Sequence, residues 1–566
     1  MLETFVLQNA NTVNPLPNRI ISSQDLAASP LLFLASLSNR LSHQSSISGS
    51  HVMTSIAPTP YDFAQQFRGK GYGTYDGITD PELRELPDGL NLKGLAIAFT
   101  NCSSLTSFPK NFSAGYLRLT GNTPIRTLPS DIQIGGYVTL KKLSHFEYLP
   151  EEVIYKDALT VDNCPSFYSL SSGVLGVTPD TYVQVIECPR LKEIPPADGP
   201  YRSLILEDCR NVEKLPDGLS LSSTLSITNN SRLEELPPGL KLRQLELRRC
   251  SALKTLHPTI KADKISISAC PNIESLPPTW RRISDGDLRF ENAHNLKSLP
   301  PNLSRVDEDL VLVNCTALKS LPAKKLEAGG RLAIRDCQLI ENLPSYLKGF
   351  LSVEISGLPK VSTLPDKIAG RSGIEISSMQ GLQTISAEIS TQRDLSIRHC
   401  ENLASICLAP DVRQNLHIDN CRNLNVLPAG LAAGGVLAIR RCGSLSLLPP
   451  GIFAQNLVVS DCASLKTLPT SLRVGNSITV QRCDSFSHLP YGIYVKGDLF
   501  LNDCPALEAL PSDLIVEGHL SLTGCDGIMI PEEVIERMGD RITLPQSYEV
   551  IPAQDREPSS DDSPAP

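Results

Sequence analysis

A leucine-proline pair returns along most of the chain at intervals of 20 to 24 residues, and 21 is the commonest interval. We call the residue before the proline, or its equivalent where the proline is missing, the anchor of a unit. The anchors are Leu86, Phe108, Leu128, Leu149, Leu170, Ile194, Leu215, Leu236, Leu256, Leu276, Leu299, Leu321, Leu343, Leu364, Ile385, Ile406, Leu427, Leu448, Leu468, Leu489, Leu510 and Ile530. Self-similarity at so short a period predicts a solenoid, in which each unit stacks on the next.

Every unit carries a similar apolar pattern, L-x-L-x-x-C-x-x-L-x-x-L-P-x-x-L. In the unit of Leu236, Leu225 and Ile227 alternate as in a short strand with one face inward, and Leu233 and Leu240 flank the anchor. One unit cannot bury its apolar face alone, whereas stacked units with parallel strands can. Because aromatic residues are only 5% of the chain, leucine, isoleucine and valine must supply the core.

Cysteine follows the same frame. Fifteen of the 16 cysteines lie five or six residues before an anchor, and Cys407 is the exception. We call this position the ladder position, and its cysteines are Cys102, Cys164, Cys188, Cys209, Cys250, Cys270, Cys315, Cys337, Cys400, Cys421, Cys442, Cys462, Cys483, Cys504 and Cys525. A small, weakly polar thiol suits an inward turn at the end of a strand. Stacking would bring the thiols within disulfide range, but we expect a buried row of reduced thiols, which implies a reducing compartment. A metal site is disfavoured because the spacing is not that of metal ligands.

This pattern resembles the leucine-rich repeat, whose consensus has asparagine or cysteine at the ladder position. The resemblance covers roughly residues 83–544. It implies a leucine-rich-repeat solenoid of about 21–22 coils, α/β by family but mostly β, with a curved parallel β-sheet on the concave side. Short units leave little chain for the outer side, and Pro-Pro pairs disfavour helix there. We therefore expect an extended or polyproline-like convex side.

Composition divides the chain into four predicted regions. Residues 1–60 are a Ser-rich leader that we expect to be disordered, and residues 61–85 are an N-terminal cap region. Residues 86–544 are the repeats, with a capping helix near 531–538, and residues 545–566 are a disordered, acidic, Pro-rich tail. The leader is also similar to the export leaders of bacterial type III effectors, since its first 50 residues contain ten serines and two acidic residues. A plain disordered tail is the alternative.

The resemblance implies a binding protein and not an enzyme. The chain is similar to the repeat-only type III effectors of the YopM type, to the repeat part of bacterial ubiquitin ligases and to that of plant immune receptors. The ligases carry a cysteine in a C-x-D motif, whereas every cysteine after residue 420 here is at the ladder position and none is followed by x-Asp. No H-E-x-x-H or G-x-S-x-G motif occurs. We predict no catalytic residue, no cofactor and no metal.

The predicted function is that of a secreted virulence effector that binds host proteins in the host cytoplasm or nucleus. The alternatives are a ubiquitin ligase with an unrecognised site and a non-exported intracellular or receptor-like repeat protein. A formal net charge of −9 argues against a nucleic-acid partner. The sequence contains no apolar stretch of about 18 residues, so it predicts no membrane span. The sequence leaves the oligomeric state and the identity of the partner open.

Charged residues occupy the positions that should point outward from the strands, onto the concave face. The predicted protein-binding residues are Asp162, Glu187, Glu207, Asp208, Arg248, Arg249, Arg335, Arg398, His399, Asp419, Arg440, Arg441 and Arg482. Signs alternate at Arg398, Asp419 and Arg440, which pairing between neighbouring strands would explain. The other explanation is a recognition surface, acidic in the early units and basic later, complementary to a protein partner. Both can hold. Trp280, four residues after its anchor, is expected in the core, and a binding anchor is the alternative.

Overall fold

The computed structural model describes residues 76–150, 153, 157–170, 181–196, 201–322 and 325–552. All described residues belong to one unit of the chain, Pro58–Pro566. The predicted leader, most of the predicted cap region and residues 553–566 of the predicted tail lie outside the described residues.

One parallel strand from each coil joins a long sheet, and the strands are numbered along the chain. Its strands are β1 (Asp76–Ile78), β2 (Asn91–Thr100), β3 (Ser113–Thr120), β5 (Tyr137–Lys141), β6 (Ala158–Asp162), β7 (Tyr182–Ile186), β8 (Tyr201–Glu207), β9 (Leu221–Thr228), β10 (Lys241–Arg248), β11 (Lys261–Ser268), β13 (Leu288–Glu291), β15 (Leu310–Val313), β17 (Arg331–Arg335), β18 (Tyr346–Ser356), β19 (Lys367–Ser377), β22 (Asp394–Arg398), β25 (Leu416–Asp419), β26 (Val436–Arg440), β28 (Asn456–Ser460), β30 (Ile478–Gln481), β32 (Leu499–Asn502), β34 (Leu520–Ser521) and β36 (Ile542–Thr543). The register repeats from coil to coil, so that Leu416 pairs with Leu395 on one side and Leu437 on the other.

Shorter strands lie in the part of a coil that follows the anchor or surrounds it. The strands after the anchor, which we call flank strands, are β4 (Gln133–Ile134), β12 (Arg282–Ile283), β14 (Arg305–Val306), β16 (Lys325–Ala328), β21 (Glu388–Thr391), β24 (Asp411–Val412), β27 (Phe453–Ala454), β29 (Arg473–Val474), β31 (Tyr494–Val495) and β33 (Ile515–Val516). Strands at the anchor itself are β20 (Thr384–Ile385), β23 (Ser405–Ile406), β35 (Ile528–Pro531) and β37 (Tyr548–Ile551). Of these shorter strands, β4, β12, β14, β16, β21 and β24 join the long sheet through its longer strands, and the others form separate two-stranded sheets. The outer side is therefore extended, as predicted.

The alternation of side chains along each strand builds the core. In β25, Leu416 and Ile418 are fully buried while His417 and Asp419 are partly exposed on the other face. Burial of such leucine and isoleucine side chains stabilises each coil by about 1.5–3 kcal/mol per residue relative to exposure. Trp280 is also buried, as predicted, and its indole N–H donates to the carbonyl oxygen of Ile260 at 3.1 Å. The molecule is a parallel-strand solenoid of about 22 turns, and the predicted fold class is confirmed.

The residue directly after a strand of the long sheet has a left-handed backbone in most coils. Sequence reasoning did not predict this. Asn420 is an example: its φ is 53°, and its N–H donates to the carbonyl oxygen of Arg440 in the next coil at 2.9 Å. The reversal turns the following residue, Cys421, inward. We call this position the left-handed row, and its non-glycine members are Asn101, Lys142, Asn163, Glu187, Asp208, Asn229, Arg249, Ala269, Asn292, Asn314, Asp336, Ser378, His399, Asn420, Arg441, Asp461, Arg482 and Asp503.

The ladder position lies directly after the left-handed row and is buried. All 16 cysteines are free thiols, and Cys407 is the exposed one. The thiol of Cys421 donates to the carbonyl oxygens of Asp419 at 3.7 Å and Ile397 at 3.9 Å. Burial raises the pKa of Cys164 to about 11, so this thiol is protonated at neutral pH. The prediction of a buried, unbridged thiol row is confirmed.

Asparagine can replace cysteine at the ladder position, as Asn230 does. Its amide nitrogen donates to the carbonyl oxygens of Cys209 at 2.8 Å and Val212 at 3.0 Å. Its amide oxygen accepts from the N–H groups of Arg232 at 3.0 Å and Leu233 at 2.7 Å. The side chain is 1% exposed, and its buried polar atoms are therefore fully partnered.

The last coil is closed by helix α1 (Glu532–Met538), which coincides with the predicted capping helix. Val534 and Met538 are its buried residues. A 3-10 helix, Gly539–Arg541, follows. Strand β37 then pairs in parallel with β35. This strand lies within residues 545–566, for which the sequence predicts a disordered tail. The structure differs over Tyr548–Ile551 because the backbone there pairs with β35, although the side chains stay exposed.

Candidate functional site

The outward face of the long sheet consists of three parallel columns of side chains. The first column holds the residue between the two inward residues of each strand, and the second holds the residue after them. The left-handed row is the third. Neighbouring strands of a sheet lie about 4.8 Å apart, so the residues of adjacent coils lie next to one another along each column. Along the described residues, this face is exposed to solvent.

The structure places all the predicted binding residues on this face, in two adjacent columns. Those in the second column are Asp162, Glu207, Arg248, Arg335, Arg398, Asp419 and Arg440. Those in the left-handed row are Glu187, Asp208, Arg249, His399, Arg441 and Arg482. Sequence reasoning therefore placed them on the correct face but did not separate the two columns, which differ in backbone conformation.

Several of these charges pair with a neighbouring coil, either diagonally between columns or within one column. Arg441 of the left-handed row contacts the carboxylate of Asp419 in the preceding coil, with Nε 2.9 Å from Oδ1, and this pair is diagonal. Arg482 contacts Asp461 at 2.7 Å, and both residues belong to the left-handed row. The alternation of Arg398, Asp419 and Arg440 suggested pairing within one column, whereas the ion pair of Asp419 is with Arg441.

Other charges on the face have no ion pair within 4.0 Å in the described part of the chain. Arg398 and Arg440 flank Asp419 in register, on strands β22 and β26, and neither contacts it. Arg249 and Glu187 likewise lack an oppositely charged partner among the described residues. Unpaired charges on an open sheet are free to meet a charge of opposite sign on another molecule.

The charges separate along the solenoid by sign. We call Asp162, Glu187, Glu207 and Asp208 the acidic region. Burial raises the pKa of Glu207, and the neighbouring carboxylates of Asp208, Glu187, Asp162 and Glu246 raise it further. The carboxylates of this region therefore repel one another. Lys141, which lies 2.6 Å from Asp162, neutralises only part of their negative charge.

We call Arg398, His417, Arg440 and Arg441 the basic region. His417 lies in the first column, between the strands of the two unpaired arginines. Burial lowers the pKa of His417, and the charges of Arg398 and Arg440 lower it further. The imidazole is therefore neutral at pH 7, and the positive charge of the region comes from the arginines.

Three further features of the face were missed by sequence reasoning. Glu246 is 6% exposed and accepts from Ser226 at 3.3 Å, while Arg248 lies 2.7 Å from it. Glu354 is contacted by Arg335 at 3.1 Å and also by Arg331. Phe500 presents a partly exposed ring between Thr479 and Ser521. Glu246, Glu354 and Phe500 belong to the first column, and the arginines pair with its carboxylates. The sequence signal that could have revealed these residues is their position between the two inward residues of a strand.

The described residues contain no group of three or more His, Cys, Asp or Glu side chains that could hold a metal ion. They also contain no helix that is long and apolar enough to cross a membrane. What the arrangement offers is a long polar surface with two regions of opposite charge and an aromatic ring near one end.

Comparison with known proteins adds little. No protein-family model matches the chain, and no curated protein matches it. Among solved structures, a leucine-rich repeat protein from Bacteroides ovatus ATCC 8483 superposes with a TM-score of 0.25 at 15% identity, covering 67% of this chain and 88% of that one. A superposition at this TM-score does not establish a shared binding function. The repeat pattern of the sequence and the stacked parallel coils of the structure identify the fold as a leucine-rich-repeat solenoid.

Proposed function

We propose that the chain is a protein-binding scaffold that recognises its partner by charge through the outward face of the long sheet. The observation that carries this proposal is the pairing pattern on that face. Asp419 and Asp461 are neutralised by arginines of the next coil, whereas Arg398, Arg440 and Glu187 have no ion pair among the described residues. A sheet that needed only to avoid repulsion between coils would pair these charges as well.

The partner that fits is a protein with a basic segment for the acidic region and an acidic segment for the basic region. Arg398 and Arg440 are two strands apart, so their Cα atoms are separated by about 10 Å. The acidic and basic regions are separated by roughly ten coils, or about 50 Å at the spacing of parallel strands. An elongated surface on the partner would be needed to contact both regions.

The finer proposal is that the scaffold is a secreted bacterial effector that binds host proteins and modulates host signalling or immunity. Its support is the similarity of the Ser-rich leader to type III export leaders, together with the resemblance of the repeats to those of repeat-only effectors. On this proposal the protein acts in the host cytoplasm or nucleus. The buried, unbridged thiols of the ladder position are compatible with such a reducing compartment.

A translocation experiment tests the finer proposal. Residues 1–80 would be fused to a reporter that is active only inside a eukaryotic cell, in bacteria with and without a working type III apparatus. Reporter signal that requires the apparatus is the expected result. Signal that is absent in both strains, or equal in both, would overturn export by this route and would favour an intracellular or receptor-like scaffold.

The coarser proposal is tested with partners enriched from eukaryotic lysate by the full chain. The variant with both Arg398→Glu and Arg440→Glu should lose any partner that binds the basic region, because each substitution replaces attraction by repulsion. Arg281→Glu is the control, since Arg281 is exposed and lies directly before flank strand β12, away from the outward face. Equal recovery of every partner by the double variant and the control would contradict recognition through the basic region.

A further inference from the structure

The coil of anchor Leu468 leaves an opening in the core on the flank of the solenoid. Leu472 and Val474 occupy its inward positions after the anchor, but both are only partly buried. In the preceding coil the equivalent residues, Ile452 and Ala454, are 0% exposed. This difference in burial is confined to one coil, because the neighbouring coils follow the same repeat pattern.

An interruption between the flank strands accompanies this opening. Strand β27 pairs with β29, and β31 pairs with β33. The two pairs are separate sheets, and no pairing joins β29 to β31 in this described stretch of the chain. The two coils remain joined through β30 and β32 of the long sheet. Because the backbone pairing between their flank strands is missing, side chains of the core are accessible between the two coils on the flank.

The cavity at this junction has a volume of about 240 Å³. Its apolar lining includes Leu472, Val474, Ile478, Ile493, Pro469 and Pro490, and its rim includes Thr470, Arg473, Tyr491 and Tyr494. A cavity of about 150 Å³ is enough for benzene, whereas sites for small-molecule ligands and cofactors usually measure about 300–1,000 Å³. The volume therefore fits one large apolar side chain better than a cofactor.

The rim supplies one free positive charge and two aromatic rings. Arg473 is exposed and has neither an ion pair nor a side-chain hydrogen bond among the described residues. Tyr491 is 79% exposed. The hydroxyl of Tyr494 donates to Glu517 at 2.5 Å, which fixes the ring at the edge of the cavity. Phe453 and Ile515, on the next flank strands, extend the apolar rim on both sides.

We propose that this cavity, which we call the flank pocket, is a second protein-binding site, separate from the outward face. Its occupant is a phenylalanine-sized side chain of a partner protein, with an adjacent carboxylate that pairs with Arg473. The aromatic ring enters the apolar cavity against Leu472 and Val474, and the tyrosine rings cover it. Burial of the ring supplies the affinity, and the complementary charge at the rim selects an acidic neighbour.

The experiment uses the full chain with labelled leucine and valine methyl groups, and the probe is the peptide acetyl-Gly-Phe-Glu-Gly-amide. Titration should shift the methyl resonances of Leu472 and Val474 in nuclear magnetic resonance spectra. Replacing the phenylalanine of the peptide by alanine should weaken binding at least about tenfold, because ring burial is lost. Replacing the glutamate by glutamine should weaken it about two- to fivefold, as expected for an exposed ion pair.

Two substitutions in the protein locate the site. Arg473→Gln should abolish the preference for glutamate over glutamine in the peptide. Arg281→Gln is the matched control, because Arg281 is exposed and lies in a distant coil, and it should leave that preference unchanged. Val474→Phe should fill the cavity and prevent binding, and circular dichroism should show that the variant is folded. If it is not folded, Tyr491→Ser, which changes an exposed wall, should weaken binding instead.

Three results would overturn the proposal. One is the absence of shifts at Leu472 and Val474 at millimolar peptide. Another is a set of shifts that Arg473→Gln and Arg281→Gln reduce equally. The third is binding of the free acid phenylpropionate without binding of the peptide, which would make the flank pocket a site for a small aromatic acid. None of these results bears on charge recognition by the outward face, so the two proposals fail independently.

Discussion

Replacing Asn230 by aspartate changes one buried atom and tests how the ladder position holds consecutive coils together. Asparagine and aspartate have nearly the same shape, so packing is conserved. The amide nitrogen that donates to Cys209 and Val212 becomes an oxygen that faces two carbonyl oxygens. Each buried carbonyl left without its donor costs about 1–3 kcal/mol. The expected loss in the free energy of unfolding is therefore about 2–6 kcal/mol at pH 7.

The loss should depend on pH in a defined direction. Burial and the two facing carbonyl oxygens raise the pKa of the introduced carboxyl in the folded state above its unfolded value of about 3.9. A group whose folded pKa is raised is tolerated best below the unfolded pKa, and stability is lost as the pH rises through the folded pKa. When protonated, the carboxyl can also donate to one carbonyl. The difference from wild type should therefore grow between pH 4 and pH 8.

Urea unfolding followed by circular dichroism measures the loss, and amide hydrogen exchange shows whether it is confined to the coils next to the substitution. Asn272→Asp is the matched control. The Asn272 amide also donates to a carbonyl oxygen, that of Ser251 at 2.7 Å, but the residue is exposed and water can replace the donor. Equal losses for the two variants, or a loss at Asn230 that does not change with pH, would refute this account of the ladder position.

Three further predictions concern other parts of the repeat. Ala269→Gly should raise the free energy of unfolding by up to about 1 kcal/mol, because Ala269 has a φ of 51° that costs an alanine about 1–2 kcal/mol and glycine less; a loss of stability would contradict this. Arg398→Gln should raise the pKa of His417 in a nuclear magnetic resonance titration, whereas Arg482→Gln should leave it unchanged. A thiol reagent should modify one cysteine per folded chain, and none in Cys407→Ser, with the other thiols reacting only on unfolding; a second fast-reacting thiol would show that the ladder position is accessible.

The repeat frame was predictable because it is encoded at every coil. A period near 21, the alternation of inward residues and the ladder position follow from residues such as Leu416, Ile418 and Cys421, which recur in equivalent form many times. A departure from the pattern in one coil does not obscure the period, because the other coils repeat it. The burial of Trp280 followed from the same frame, since the residue four positions after the anchor is buried in many coils, as are Leu240, Leu303 and Ile452.

Features that depend on one coil or on side-chain geometry could not be predicted in this way. The ion pair of Asp419 with Arg441, and not with Arg398, depends on which direction each side chain takes. The opening at Leu472 depends on the missing pairing between two flank strands, although its sequence follows the frame. The left-handed row had a signal that sequence reasoning did not use, because Asn, Asp and Gly recur directly before the ladder position.

Charged residues in the left-handed row connect the fold to the proposed function. Asparagine, aspartate and glycine adopt this conformation at low cost, and they occupy much of the row. Arg249, Arg441 and Arg482 adopt the same conformation with larger side chains. Residues that break a local rule without an evident gain in stability are candidates for function. Arg441 and Arg482 have ion pairs that offset part of this cost, whereas Arg249 has none among the described residues.

Arg249→Asn separates the two explanations for an arginine at this position. If Arg249 serves recognition, the variant should be as stable as wild type or slightly more stable, within about 0.5–1 kcal/mol, because asparagine favours the left-handed conformation. It should at the same time bind an acidic partner of the outward face less well. If Arg249 serves folding, for example by covering the sheet with its aliphatic part, the variant should unfold at lower urea concentration with binding unchanged. That second result would remove the conformational argument for recognition by this coil.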